Sequence, residues 1–274
     1  MRIFISMDIE GVAGVGEPLQ GMRGNPEYEV ARRLMTAECN AAIRGAFAGG
    51  ATEVTVADSH GPMRNMIAAD LDPRARLVQG TPRPLSMAEG LRADHDGLLL
   101  IGFHAAAGNR GVLAHTISGQ AFTRITVNGV QAGEPTLFAG HAAELGVPLL
   151  AVSGDDLLGA EIAAQFPAAR FIEVKRAIGN WTCESLSPEA SRAAIEAGAE
   201  AAVRDAASAP VQAPCAAPLT VEVELQKQVL ADAAALIPGI SRQGTLTVGF
   251  TAASHAEAIG LFSVMSIMAR ALLA

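Results

Sequence analysis

The opening stretch, M-R-I-F-I-S-M-D-I-E-G-V-A-G-V, places the tightest limit on how this chain can fold. Arg2 to Met7 is apolar on both faces and rich in Ile and Phe, which is the pattern of a strand buried inside a sheet. That strand runs directly into Asp8 and Glu10, then into Gly11 and Gly14. Side chains two apart in extended backbone point to the same side, so Asp8 and Glu10 are expected to project together, with Ile9 turned away. Two carboxylates beside an apolar interior need something positive between them. A metal, an Arg or Lys, or a shared proton would each serve.

Further runs of the same kind follow. Glu53 to Ala57 reads as a strand and ends in Asp58-Ser59-His60; Gly97 to Gly102 reads as another and ends in Phe103-His104. Between the first two, Asn25 caps a long helix that Pro26 opens and Gly49-Gly50 close. Strands alternating with helices predict an α/β fold, a doubly wound and mainly parallel sheet. Ligands bind beyond the carboxyl ends of such strands. Asp8, Glu10, Asp58, His60 and His104 are all expected on that rim.

The loop from 105 to 120, rich in Gly and Ala, carries His115 near the same rim. Ala121 to Val127 alternates and meets Asn128-Gly129, a hairpin signal. Glu134 stands at the start of the next expected helix. Pro148 to Ser153 predicts another buried strand, and Asp155 and Asp156 are placed to cap the helix after it. Phe171 to Lys175 is expected to be a strand, followed by a polar stretch with the only Trp, Trp181. The proline-rich run 209–218 is the best linker candidate, and the alternating Leu219 to Leu225 predicts a strand with one wet face. The expected division is a metal-binding catalytic domain over 1–170. A smaller C-terminal α+β subdomain over 171–274 would cover the site and help build an oligomer.

Composition excludes some functions. The formal net charge is −8, and no local run of Lys or Arg reverses it, which argues against a nucleic-acid partner. No uncharged apolar stretch reaches the roughly 18 residues of a membrane span, and the N-terminus lacks the apolar core of a secretion signal. Cys39, Cys183 and Cys215 form neither a C-x-x-C pair nor an even framework, so the expected compartment is the cytoplasm.

Asp8, Glu10, His60, His104 and Glu134 form a common ligand inventory for Zn²⁺ or a similar divalent ion. Singly, a His at a strand end is more often a satisfied polar residue, and Asp58 or Glu134 can merely shape a turn or a helix start. Convergence on one rim raises the group above that. Five ligands suit two metals bridged by one carboxylate, and Asp8 is the short one that leaves its strand first. Two such metals polarise a carbonyl and activate water. His115 is then free to act as acid, base or nucleophile. His95 and His141 are expected at the surface or on helices, and His255 is expected to be structural. The glycines at 11 and 14 are expected to make room for substrate and metal, their spacing being wrong for a dinucleotide loop.

With these residues in hand, the chain resembles the M55 metallopeptidase family, the D-aminopeptidases of bacterial dipeptide-transport operons. The resemblance rests on S-M-D-I-E-G (6–11), R-R-L-M-T-A-E-C-N (32–40), V-A-D-S-H (56–60), S-M-A-E-G-L (86–91), I-G-F-H-A (101–105), A-H-T-I (114–117), N-G-V-Q-A-G-E (128–134), V-S-G-D-D (152–156) and C-E-S-L-S-P (183–188). It implies a zinc aminopeptidase with two Zn²⁺ per subunit, acting on short peptides or aminoacyl amides. In that pattern Asp8 bridges, Glu10 and His104 complete one site, His60 and Glu134 the other, and His115 matches the active-site residue. It also implies a ring-like homo-oligomer, in its expected form a decamer, with no membrane partner. The departure lies at I-G-N-W-T (178–182) and bears on which side chains, and which stereochemistry, are preferred. Two rivals are a dimetal hydrolase of another amide or a phosphate ester, and a non-catalytic small-molecule binding protein.

Overall fold

The computed structural model describes residues 1–273. Eleven of its elements build a seven-stranded α/β layer: β1 (Arg2–Met7), α1 (Pro26–Ala48), β2 (Glu53–Asp58), β3 (Ala75–Val78), β4 (Gly97–Ile101), α2 (Glu134–Glu144), β7 (Leu149–Asp155), α3 (Asp156–Gln165), β8 (Arg170–Gly179), β9 (Thr182–Ser185) and α4 (Pro188–Arg204). Besides short 3-10 turns, the other elements are β5 (Phe122–Val127), β6 (Val130–Gln131), β10 (Leu219–Leu225), α5 (Gln228–Ala234), β11 (Ser241–Arg242), β12 (Thr247–Ala252) and α6 (His255–Leu272).

Strand order in the large sheet is β3-β2-β1-β4-β7-β8-β9. Every pairing in it is parallel except β8 with β9. The doubly wound, mainly parallel sheet expected from the sequence is present. Its strand order reverses direction between β1 and β4, the crevice where such sheets bind ligands. β1 lies in the middle and is buried from Ile3 onward. Ile3, Ile5 and Met7 face α1 and α4, while Phe4 packs with Leu98, Leu100 and Phe138 on the opposite side.

Sequence and local structure agree at the helix starts. Asn25 accepts from the Glu27 amide at 3.0 Å ahead of Pro26. Asp155 accepts from the amides of Leu157 and Leu158, as expected of a cap. The Asn128-Gly129 turn has φ of 49° and 82°, the left-handed pair of a type I′ hairpin.

The sheets divide the chain elsewhere than at 170/171. β8, β9 and α4 join the large sheet, and α4 packs along α1. β5 and β6 join the smaller antiparallel sheet β11-β12-β10-β5-β6. The reason is pairing: β10 needs a partner on each side of its alternating strand and finds β5 across the intervening chain 128–218. That second sheet has its own core, with Phe122, Ile125, Val221 and Phe262. His95 and His141 are both buried. His141 lies on α2, whereas His95 sits in a turn with its ring edge-on to Phe4 at 5.6 Å. No helix among the described residues is long and apolar enough to cross a membrane.

Candidate metal centre

The rim at the switch point gathers every expected site residue. Asp8 follows β1, and its amide donates to Ile101 at 2.8 Å, keeping it on the strand's line. Glu10 lies in the turn beyond it, so β1 ends earlier than an extended reading to residue 10 requires. The pair still faces one side, because Ile9 is fully buried in the core behind it. His60 follows β2, His104 follows β4, and Glu134 is the first residue of α2. Asp58 serves the loop instead, accepting from the amides of Asn65 and Met66 and from Asn65 Nδ2.

His60 Nδ1 lies 2.8 Å from Glu10 Oε2 and 3.5 Å from Asp8 Oδ1. His104 Nε2 lies 3.4 Å from Asp8 Oδ2 and 3.3 Å from Glu134 Oε2. His115 Nε2 lies 3.9 Å from Glu134 Oε1, and its ring stacks on His104 with centroids 4.1 Å apart. Ligand atoms of Asp8, Glu10 and His104 approach one another within 4.8 Å, as do those of His104, His115 and Glu134. His60 finds its near carboxylate in Glu10 rather than Glu134.

The outer nitrogens settle the tautomers. His60 Nε2 meets the Gly21 carbonyl at 2.8 Å, His104 Nδ1 the Ala105 carbonyl at 3.1 Å, and His115 Nδ1 the Leu113 carbonyl at 2.9 Å. A carbonyl only accepts, so each of these nitrogens carries the hydrogen. In the neutral rings the inner nitrogens of His60 and His104 therefore aim lone pairs at carboxylate oxygens. Asp8 Oδ2, His104 Nε2 and Glu134 Oε2 are buried, mutually close and without hydrogen-bond partners. Lone pairs pointed at carboxylates in a buried pocket need a cation between them or a proton on each ring. The donor set, nitrogen and carboxylate oxygen with backbone carbonyls behind the imidazoles, fits zinc.

The electrostatics agree. Burial by itself would raise the Asp8 pKa, yet contacts with His104 and His60 hold it at about 2. Burial by itself would lower the imidazoles. The Glu10 charge, with Asp8, lifts His60 well above its ordinary value, and the Glu134 charge, with Asp8, does the same for His104. Glu134, buried, is nonetheless held below the ordinary carboxylate range by His104. The cluster takes up positive charge strongly, as protons or as metal.

The turn bearing Glu10 is clamped from behind by residues that sequence reasoning missed. Buried Lys175 on β8 donates from Nζ to the carbonyls of Glu10, Val12 and Val15, the last two at 3.2 and 2.7 Å. Burial pushes its pKa down. Glu38 on α1 accepts from the Ala13 amide and from Ser191 Oγ, and burial raises its pKa to about 7. Carbonyl partners carry no sequence signature, so nothing marked Lys175. Gly11 corrects an expectation: a Cβ there would overlap the backbone of Gly102 and Phe103, so it permits close strand contact rather than space for substrate.

A cleft of about 930 Å³ opens over this floor, with Asp8, Glu10, His60 and His115 below and Trp181 and Arg270 toward the mouth. Trp181 stands at the tip of a β8–β9 hairpin, where the sequence suggested only a polar stretch.

The family model for M55 peptidases, described as D-aminopeptidase, matches residues 1–264. The chain is 35% identical over 271 residues to the D-aminopeptidase of Bacillus subtilis (strain 168), covering 98% of each. Its fold superposes with a TM-score of 0.94 and 32% identity on a solved structure described as the Zn-dependent D-aminopeptidase DppA from Bacillus subtilis, a self-compartmentalizing protease, over 98% of both chains. With a matching fold and a family match over nearly its whole length, the chain belongs to the M55 peptidases, enzymes that hydrolyse peptide bonds.

Proposed function

We propose that this chain is a two-zinc aminopeptidase that removes the N-terminal residue, including D-residues, from short peptides and aminoacyl amides. The observation that carries this is the inward aim of the His60 and His104 nitrogens at Asp8, Glu10 and Glu134, with each ring's outer nitrogen committed to a carbonyl. Asp8 turns one oxygen toward His60 and the other toward His104, and with Glu10, His60, His104 and Glu134 it would hold the zinc. Zinc, when bound there, polarises the scissile carbonyl and acidifies water.

The chain's own groups supply the rest. Leu113 fixes hydrogen on His115 Nδ1, which leaves Nε2 as the atom that takes a proton and returns it to the leaving amine. The acidic floor gives the substrate's free α-amino group its counter-charge, which is what selects an N-terminus over an internal bond. The five-stranded unit helps cover the site and supports a ring-like homo-oligomer, a decamer, that admits only short peptides. The relative's description as self-compartmentalizing supports this assembly. The unpaired Cys39, Cys183 and Cys215 support a cytoplasmic location.

The test is an assay of zinc-loaded protein on paired D- and L-alanyl amides and dipeptides, with a chelator control. Cleavage that chelator abolishes and zinc restores is expected. Hydrolysis of p-nitrophenyl phosphate in place of aminoacyl amides overturns the proposal. In the same assay His115→Ala retains its zinc and loses turnover by about 10²–10⁴-fold.

A further inference from the structure

The exposed ring of Trp181 has a position that packing alone does not explain. It is 63% exposed, yet it lines the same cleft as His115. A large ring left in water beside a peptide-binding cleft is apolar area waiting for a partner. Its setting is fixed. The preceding residue, Asn180, accepts from the Leu113 amide at 2.8 Å and donates from Nδ2 to the Gly111 carbonyl at 3.1 Å. Leu113 in turn accepts from the His115 ring, and it holds φ at +55° to do both. One bent peptide therefore ties the hairpin tip to the imidazole that moves the proton.

Direction follows from burial. The carboxylates that line the cleft and would hold a peptide's amino end, Asp8 and Glu10, are 1% and 8% exposed. Trp181 is at the mouth. A peptide anchored by its N-terminus leaves the floor outward, so the ring meets what lies beyond the scissile bond. We propose that Trp181 is a specificity-determining residue that packs against the side chain of the residue following the scissile bond and favours an apolar or aromatic one there. This rests on the aminopeptidase function proposed above.

Trp181 is the only tryptophan in the chain, so its emission reports on this wall alone. Zinc-loaded His115→Ala protein, which holds peptide without turnover, is titrated with D-alanyl-leucine and with D-alanyl-glycine. The leucyl peptide is expected to shift Trp181 emission to the blue and the glycyl peptide to leave it nearly unchanged. In otherwise wild-type enzyme, Trp181→Ala is expected to raise KM for D-alanyl-leucine about 10-fold, with kcat within about 2-fold, and to leave D-alanyl-glycine unaffected. Trp181→Phe restores most of the difference. An emission that ignores both peptides, one that follows protein concentration instead, or a KM raised equally for both substrates overturns the proposal. If neither dipeptide is cleaved but emission still separates them, the aminopeptidase proposal fails and the aromatic wall stands.

Discussion

Among the described residues, buried histidines meet carboxylates in two places, and only one of them gathers its carboxylates out of water as well. At the strand ends stand His60, His104, Asp8, Glu10 and Glu134. Between α2 and α6 stand His141, His255 and Glu144. In the second, Glu144 accepts from the His255 amide at 2.9 Å and pairs with His255 Nδ1 at 2.7 Å, while His141 Nδ1 lies 3.8 Å away. His255 Nε2 and both His141 nitrogens have no partner. These spare nitrogens do not converge. Among the described residues, only the two groups at the strand ends bring three ligand-type atoms within 4.8 Å. What separates the clusters is therefore the carbonyl behind each ring, not the number of histidines. Gly21 and Ala105 use up the outer hydrogens, so the remaining lone pair of His60 faces Glu10 and Asp8 and that of His104 faces Asp8 and Glu134.

The sharpest way to break this contrast is Asp8→Ala against His255→Gln. Asp8→Ala is expected to lose bound zinc by elemental analysis and more than about 10³-fold in turnover. His255→Gln is expected to keep its zinc. Full zinc content in Asp8→Ala protein would remove the distinction.

A smaller effect concerns the clamp behind Glu10. The Glu38 pKa rises from 4.5 to about 7 on folding, because burial penalises its charge. The folded protein thus keeps a proton that the unfolded chain releases, and stability falls as pH rises through that window. At 1.36 kcal/mol per unit the loss is about 3 kcal/mol. Urea midpoints measured across the window follow that slope in the native chain and flatten in Glu38→Gln. The smallest effect is at the second cluster. His141→Leu replaces two unpartnered nitrogens with hydrocarbon, so stability is expected to rise by about 1 kcal/mol with zinc content unchanged. A fall in zinc there would show the clusters to be coupled.

The strand-end residues were legible because each obeys a local rule. A buried strand must stop, and polar residues of ligand type at its stop are visible in the letters. Asn25, Asp155 and the Asn128-Gly129 turn were legible for the same reason. Partnerships set by the tertiary fold were not. β5 joins β10 across the domain, so no cut at one position separates the two sheets. The burial of His95 depends on Phe4, 91 positions away. Lys175 reads as an ordinary strand-end cation until three carbonyls from another loop surround it. The β8–β9 turn was obscured by an irregular register between Ala177 and Gly179, which breaks the alternation that would have announced a hairpin.

That hairpin carries Lys175 in its first strand and Trp181 at its tip. The cation fixes the turn that presents Glu10, and the ring stands at the mouth of the cleft. Lineages exploring new peptide preferences can alter the tip freely only while Lys175 stays in register. A single inserted residue before Lys175 would turn its side chain to the opposite face of the sheet and release Glu10. Substitutions at the tip can thus change the mouth of the cleft without moving Lys175, whereas an insertion upstream is expected to show first as lost metal.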